Sequence, residues 1–249
     1  MTVEYITSAQ NSLIRHMRKL QTSRSYRREC REFVCEGWKL LEEAMKWLPH
    51  IKTIVYAKGQ ECPPVQSHTR VVEVPESLLQ GLSSQKSPQG VIFTCHMPAD
   101  RIPEIGPGML LLDGIQDPGN LGTILRTADA FNIPVLLTNG CADPYSDKTI
   151  RASMGAIFRT VPCSVPMEEL ISRCEELGIC LAATALTDEA VDIRTLDLKQ
   201  YITVIGSEGQ GICSRLLESS RKQVIIPMES RCESLNAAVA ATIVLWQMK

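Results

Sequence analysis

A chain of 249 residues, 44% hydrophobic and 22% charged, is long enough for one large or two modest domains with a real core. No apolar run approaches the length of a membrane span, and the start Met1-Thr-Val-Glu-Tyr-Ile lacks the basic-then-apolar pattern of a leader, so a cytoplasmic protein without membrane partners is expected. The net charge of −2 hides an uneven distribution: residues 1–31 carry Arg15, Arg18, Lys19, Arg24, Arg27, Arg28 and Arg31 against Glu4 and Glu29, a local balance of +5 that leaves −7 for the remainder.

Leu13, Ile14, Met17 and Leu20 fall on one helical face and predict a helix over 11–22. A short strand at Phe33-Val-Cys35 should run through Gly37 into a helix reaching about Leu48, closed by Pro49. Strands are expected at Ile51–Ala57, Arg70–Val74 and Gly90–His96, with a short helix at Pro75–Gly81. Three prolines and two glycines within Met97–Gly108 suit a linker, which divides the chain into residues 1–106 and 107–249.

Past the linker, wholly apolar strands alternate with helices. The strand candidates are Met109–Leu112, Pro134–Thr138, Thr160–Val165, Gly178–Ala185, Tyr201–Ile205 and Gln223–Ile226. The helix candidates are Leu121–Phe131, Lys148–Ala156, Met167–Leu177, Ile212–Ser220 and Ser234–Met248. This alternation predicts an α/β fold with a parallel sheet covered on both faces. The stripe Leu170, Ile171, Cys174 and Leu177 should face the core, and the last helix, apolar almost all round, should be buried on more than one side. The ten cysteines include no Cys-x-x-Cys pair and read as inert thiols, with no metal expected.

Three segments carry the chemistry. Asp113-Gly-Ile-Gln-Asp-Pro-Gly-Asn-Leu-Gly-Thr-Ile-Leu-Arg126 is a strand-to-helix loop with Asn120 as a candidate cap. That reading leaves Arg126 unexplained, a lone cation among small and apolar helix residues. Gly206-Ser-Glu-Gly-Gln-Gly211 follows an apolar strand, so its backbone can approach a ligand, and a following helix N-terminus should offer free N–H groups. Its spacing is neither Gly-x-Gly-x-x-Gly nor a P-loop. Val224-Ile-Ile-Pro-Met228 is a strand halted by proline, and Ser234-Leu-Asn236 opens the last helix.

Taken together and in this order, with Lys148-Thr-Ile-Arg-Ala-Ser-Met-Gly-Ala156 between the first two, these segments resemble the SpoU/TrmH RNA ribose 2′-O-methyltransferases of the SPOUT superfamily over residues 107–249. Residues 1–106 resemble the family's L30e-like, RNA substrate-binding domain through the basic start and Phe33-Val-Cys-Glu-Gly37. The resemblance implies a C-terminal trefoil knot, bound S-adenosylmethionine and a homodimer with both sites near the interface. By motif position, Thr184, Ala185, Gly206, Ile226, Met228 and Leu235 are the implied cofactor contacts. Asn120, Arg126, Glu208, Ser234 and Asn236 fall on catalytic positions, and the basic residues from Arg15 to Arg31 become candidates for RNA rather than an ordinary solvated face. Ribosomal RNA of the large subunit is the favoured substrate, with tRNA as the alternative. Competing readings are an RNA-binding module without catalysis and a nucleotide-dependent enzyme using the Gly206–Gly211 loop.

Overall fold

The computed structural model describes residues 3–47, 51–62, 65, 68–99, 104–229, 231–232 and 234–249. The helix end expected at Leu48–Pro49 and the linker residues Asp100–Pro103 lie outside these. The first half contains β1 (Val3–Tyr5), α1 (Ser12–Thr22), α2 (Arg24–Cys30), β2 (Glu32–Glu36), α3 (Trp38–Trp47), β3 (Ile51–Ala57), β4 (Arg70–Val74), α4 (Glu76–Leu82) and β5 (Val91–His96). Its five-stranded sheet has the order β1-β4-β3-β5-β2, with β5 antiparallel to both of its neighbours and the remaining pairs parallel. Asn11 caps α1 by accepting from the Leu13 N–H, and Leu13, Ile14, Met17 and Leu20 are buried, as their spacing predicts.

Helix α2 and strand β1 were not legible. In α2, Ser23 accepts from the Tyr26 N–H and Arg31 ends the helix in the left-handed region, but no apolar stripe announces it, because its one buried residue is Arg27.

The second half contains β6 (Leu110–Asp113), α5 (Pro118–Phe131), β7 (Val135–Leu137), α6 (Asp147–Ser153), β8 (Cys163–Ser164), α7 (Met167–Leu177), β9 (Cys180–Thr184), β10 (Val191–Asp192), β11 (Tyr201–Gly206), α8 (Ser214–Ser219), β12 (Ser220–Ile225) and α9 (Ala237–Gln247). Its seven strands are parallel throughout, in the order β10-β12-β9-β11-β6-β7-β8. Alternate residues serve opposite layers. Leu111, Leu136, Leu181, Ile202 and Val204 pack with Leu170, Ile171 and Leu216 of α7 and α8. Leu110, Leu112, Val135, Leu137 and Ile205 pack with Ile124, Leu125, Ala241 and Val244 of α5 and α9.

Several boundaries move for local reasons. Helix α6 stops at Ser153 because Met154 and Gly155 take positive φ, and the strand expected over Thr160–Val165 shrinks to Cys163–Ser164. Leu177, next to the C-cap of α7, is exposed rather than buried. Helix α5 starts at Pro118, and its cap is Asp117, not Asn120; Pro118 tolerates that start because the first helical N–H has no partner to lose. Helix α9 starts at Ala237 with Asn236 as its cap, and one side stays open at Val239 and Trp246.

The two halves share one core. Phe33, Leu40 and Leu41 belong to the same buried cluster as Leu121, Ile124 and Tyr145, and the Phe33 and Tyr145 rings lie 4.9 Å apart. Arg159 pairs at 2.7 Å with both Glu43 and Asp129. Arg27, only 5% exposed, donates to the Leu20 and Gln21 carbonyls and to Asp143 across the junction. Removing one partner of a buried ion pair strands the other, so Arg27→Ala should lower stability by about 3–5 kcal/mol. Urea unfolding would measure this, and a midpoint equal to wild type would show the pair to be dispensable.

Candidate active site

The carboxyl ends of β9, β11 and β12 open onto a cleft of about 400 Å³. Clefts beyond the carboxyl ends of parallel strands are the usual ligand position in such sheets. Thr184 and Ala185 reach it from the end of β9, Gly206 from β11, Ile226 and Met228 from the chain after β12, and Leu235 from the approach to α9. All six residues assigned by motif to the cofactor thus line one cleft, together with Glu208 and Ser234.

The Gly206–Gly211 loop closes on itself. Ser207 and Gly211 exchange both backbone hydrogen bonds at 3.0 Å, and the Ser207 hydroxyl accepts from the Gln210 N–H. A Cβ on Gly206 would lie 2.1 Å from the Gly211 carbonyl carbon, so only glycine fits where strand and returning loop touch. The helix that follows is the six-residue α8, which starts at Ser214 after Cys213, whose N–H donates to Asp113; Ser214 and Arg215 at its start are not among the cleft-lining residues.

Asn120, Arg126 and Asn236 lie outside the cleft lining. Even so, the first and last of these join it through side chains. Asn236 donates to Asn120 at 3.1 Å, Asn120 donates to Glu208 at 2.6 Å, and the Asn236 side-chain Oδ1 caps α9 by accepting from the Ala238 and Val239 N–H groups. One hydrogen-bonded chain therefore connects all three sequence motifs. Because Asp117 caps α5, the Asn120 side chain is released for this role. Lys148 donates to Asp117 at 2.6 Å and, with the Asn120 N–H, holds that carboxyl below its ordinary pKa.

Arg126 stands apart. It is exposed, with no hydrogen bond or ion pair among the described residues, so the expectation of a charge in a costly setting does not hold for the single chain. It lies six positions after Asn120, which is about 9 Å along the helix and roughly 120° around it.

Asp113 carries a function that sequence reasoning left unassigned. Its buried carboxylate accepts from the Thr138 hydroxyl at 2.8 Å and from the Cys213 N–H at 2.9 Å, tying together the loops that follow β6, β7 and β11. An acidic residue ending an otherwise apolar strand was the available signal.

The seven basic residues near the N-terminus do not form one surface. Arg15, Arg18, Lys19, Arg24 and Arg28 reach solvent, whereas Arg27 is consumed by Asp143 and two carbonyls, and Arg31 donates to the Pro98 carbonyl. Those two serve the fold. All ten cysteines are free thiols, and burial pushes Cys174 up to about 11. No cluster of His, Cys, Asp or Glu suited to a metal occurs among the described residues.

A profile of the SpoU rRNA Methylase family matches residues 107–246, and one of an MRM3-like substrate binding domain matches residues 11–92. The chain is 30% identical to the 23S rRNA (guanosine(2553)-2′-O)-methyltransferase of Bacillus subtilis, over 99% of this chain and 100% of that protein. Among solved structures it is similar to the AdoMet-bound rRNA methyltransferase of Sinorhizobium meliloti, with a TM-score of 0.86 and 32% identity over 99% of this chain and 97% of that one. It is also similar to the SpoU methyltransferase AviRb of Streptomyces viridochromogenes in complex with AdoMet, with a TM-score of 0.84 and 27% identity over 96% and 97% of the two chains. With more than half of its residues inside the family profile and a relative matched end to end, the chain belongs to the SpoU rRNA methylase family.

Proposed function

We propose that this protein transfers a methyl group from S-adenosylmethionine to the 2′-hydroxyl of a ribose in structured RNA, with large-subunit ribosomal RNA as substrate and residues 1–106 as the RNA-binding domain of a catalytic domain spanning 107–249. The observation that carries this reading is the Asn236–Asn120–Glu208 chain at the rim of the cleft. It sets amide and carboxylate groups where a ribose hydroxyl can be oriented, next to a lining of Ile226, Met228, Leu235 and Ala237 suited to an adenine ring. The cleft's size and mixed backbone and apolar wall fit the cofactor, which supplies an electrophilic methyl when bound.

The protein's own work is then orientation and charge. Asn120 is fixed from both sides, and its rigidity limits the poses open to a ribose. Arg126, a permanent cation brought to the site across the proposed dimer boundary, stabilises negative charge developing on the 2′-oxygen as its proton leaves to water, while the exposed Glu208 carboxylate braces the glycine loop through Asn120.

We further propose a homodimer, a trefoil knot formed by the segment leading into α9, and a cytoplasmic location. The dimer reading is supported by a continuous exposed face: Thr123, Arg126 and Ala130 of α5 lie beside Val239 and Trp246 of α9, Trp246 is 67% exposed, and its ring packs edge-on against Phe131 at 5.9 Å. Burying that face would bring Arg126 of each chain to the shared boundary. Light scattering should give a dimer for wild type and a monomer for Trp246→Glu; a wild-type monomer at micromolar concentration would remove this proposal.

Mapping 2′-O-methyl groups on total RNA from cells with and without the gene tests the function. One site lost from large-subunit rRNA is expected. A site lost from tRNA instead would move the substrate to the alternative, and an unchanged map would overturn the activity.

A further inference from the structure

Among the solvent-facing cations of the N-terminal hairpin, Arg24 is set apart by where it points. Its guanidinium donates to the Cys141 carbonyl at 3.3 Å, in the loop after β7 of the other half. Beyond that contact lie two glycines, the exposed Gly140 and the half-buried Gly114. Gly140 and Gly114 both take positive φ; a Cβ on Gly140 would lie 3.9 Å from the Gly114 Cα, and a Cβ on Gly114 would lie 3.8 Å from the Ser207 Cβ. The two glycines therefore form a low strip between Arg24 and the Ser207–Glu208 rim of the cleft. Arg15, Arg18 and Lys19 are spaced along one side of α1, leading towards Arg24. Of the acidic groups near the strip, Asp143 is paired with Arg27 and Asp117 with Lys148, Asp113 is buried against the Thr138 hydroxyl and the Cys213 N–H, and Glu208 at the far end is held by Asn120.

Resting on the RNA methyltransferase reading, we infer that this is the path of the substrate strand. The phosphate next to the target nucleotide is held by Arg24, and the strand crosses the second half over Gly140 and Gly114 to reach Asn120 and Glu208. A polyanion fits a line of cations that continues into a strip without side chains, because its backbone needs both neutralising charge and close approach.

Binding of unmodified 23S rRNA transcribed in vitro, measured by filter retention across a salt series, tests the first part. Arg24→Ala should raise Kd about tenfold and flatten the slope of log affinity against log salt by about 0.7, one phosphate contact on a single strand. Arg24→Lys should restore the slope, which a purely structural tie to Cys141 would not do. Gly114→Asn tests the second part. Asparagine tolerates the left-handed conformation, and its Cβ would meet Ser207 at ordinary contact distance. This variant should keep S-adenosylmethionine affinity by calorimetry and lose at least tenfold in methylation rate. A wild-type salt slope for Arg24→Ala, or a wild-type rate for Gly114→Asn, overturns the path. If Gly114→Asn loses cofactor affinity, the Arg24 slope alone decides. The slope is read without turnover, so a wild-type protein that binds this RNA and fails to methylate it counts against the activity and not against the path.

Discussion

Leu235→Arg should yield a folded protein that does not bind S-adenosylmethionine. Leu235 lines the cleft from the loop before α9, is only partly buried, and belongs to none of the three core clusters, so its replacement leaves the core intact. An arginine there would fill apolar space and place a cation beside a cationic sulfonium ligand, so affinity should fall by more than a hundredfold. Calorimetry checks this, and an unaltered Kd in a protein with wild-type melting would remove Leu235 from the cofactor site. Gly206→Trp is a poorer probe. Even alanine at Gly206 collides with the Gly211 backbone, so binding and loop structure would be lost together.

Arg126→Ala should abolish turnover while leaving cofactor affinity and stability unchanged. Its side chain is exposed and makes no hydrogen bond or ion pair among the described residues, so the single chain loses little when it is removed. Deleting one group that stabilises charge in a transition state costs about a hundredfold to a thousandfold in kcat. The loss should therefore fall on kcat and on kcat/KM for RNA together, which marks an interaction made in the transition state rather than in uniform binding. Activity within a few-fold of wild type would take Arg126 out of the mechanism. Arg126→Lys should recover little, because a flexible ammonium lacks the planar fork of donors.

The parallel sheet was legible because its strands are apolar on both faces and separated by helices with clear stripes, as in Leu170, Ile171 and Cys174. The cleft was legible through the family resemblance, whose implied cofactor contacts Thr184, Gly206 and Ile226 mark the ends of β9, β11 and β12. What escaped was whatever depends on polar partners distant in sequence. Asn120 read as a helix cap, since nothing local reveals that Asp117 takes that place and frees Asn120 for Glu208, 88 residues away. Arg27 read as one cation among seven, because burial against Asp143, 116 residues away, leaves no trace in a window of charge. Helix α2 escaped for the same reason, its single buried side chain being charged.

The core shared by Phe33, Leu40, Leu41 and Tyr145 has a consequence for what the protein can select. A reader and a chemist joined by a slack tether accept targets at many separations. Here both sit on one solid body, and the interval from the α1–α2 hairpin to the cleft acts as a caliper. With the α1–α2 hairpin as the proposed RNA grip, an RNA is expected to be modified only when the gripped segment and the acceptor nucleotide are spaced to match that gap. Insertion or deletion of a single nucleotide between them would therefore silence the site while leaving both sequences intact.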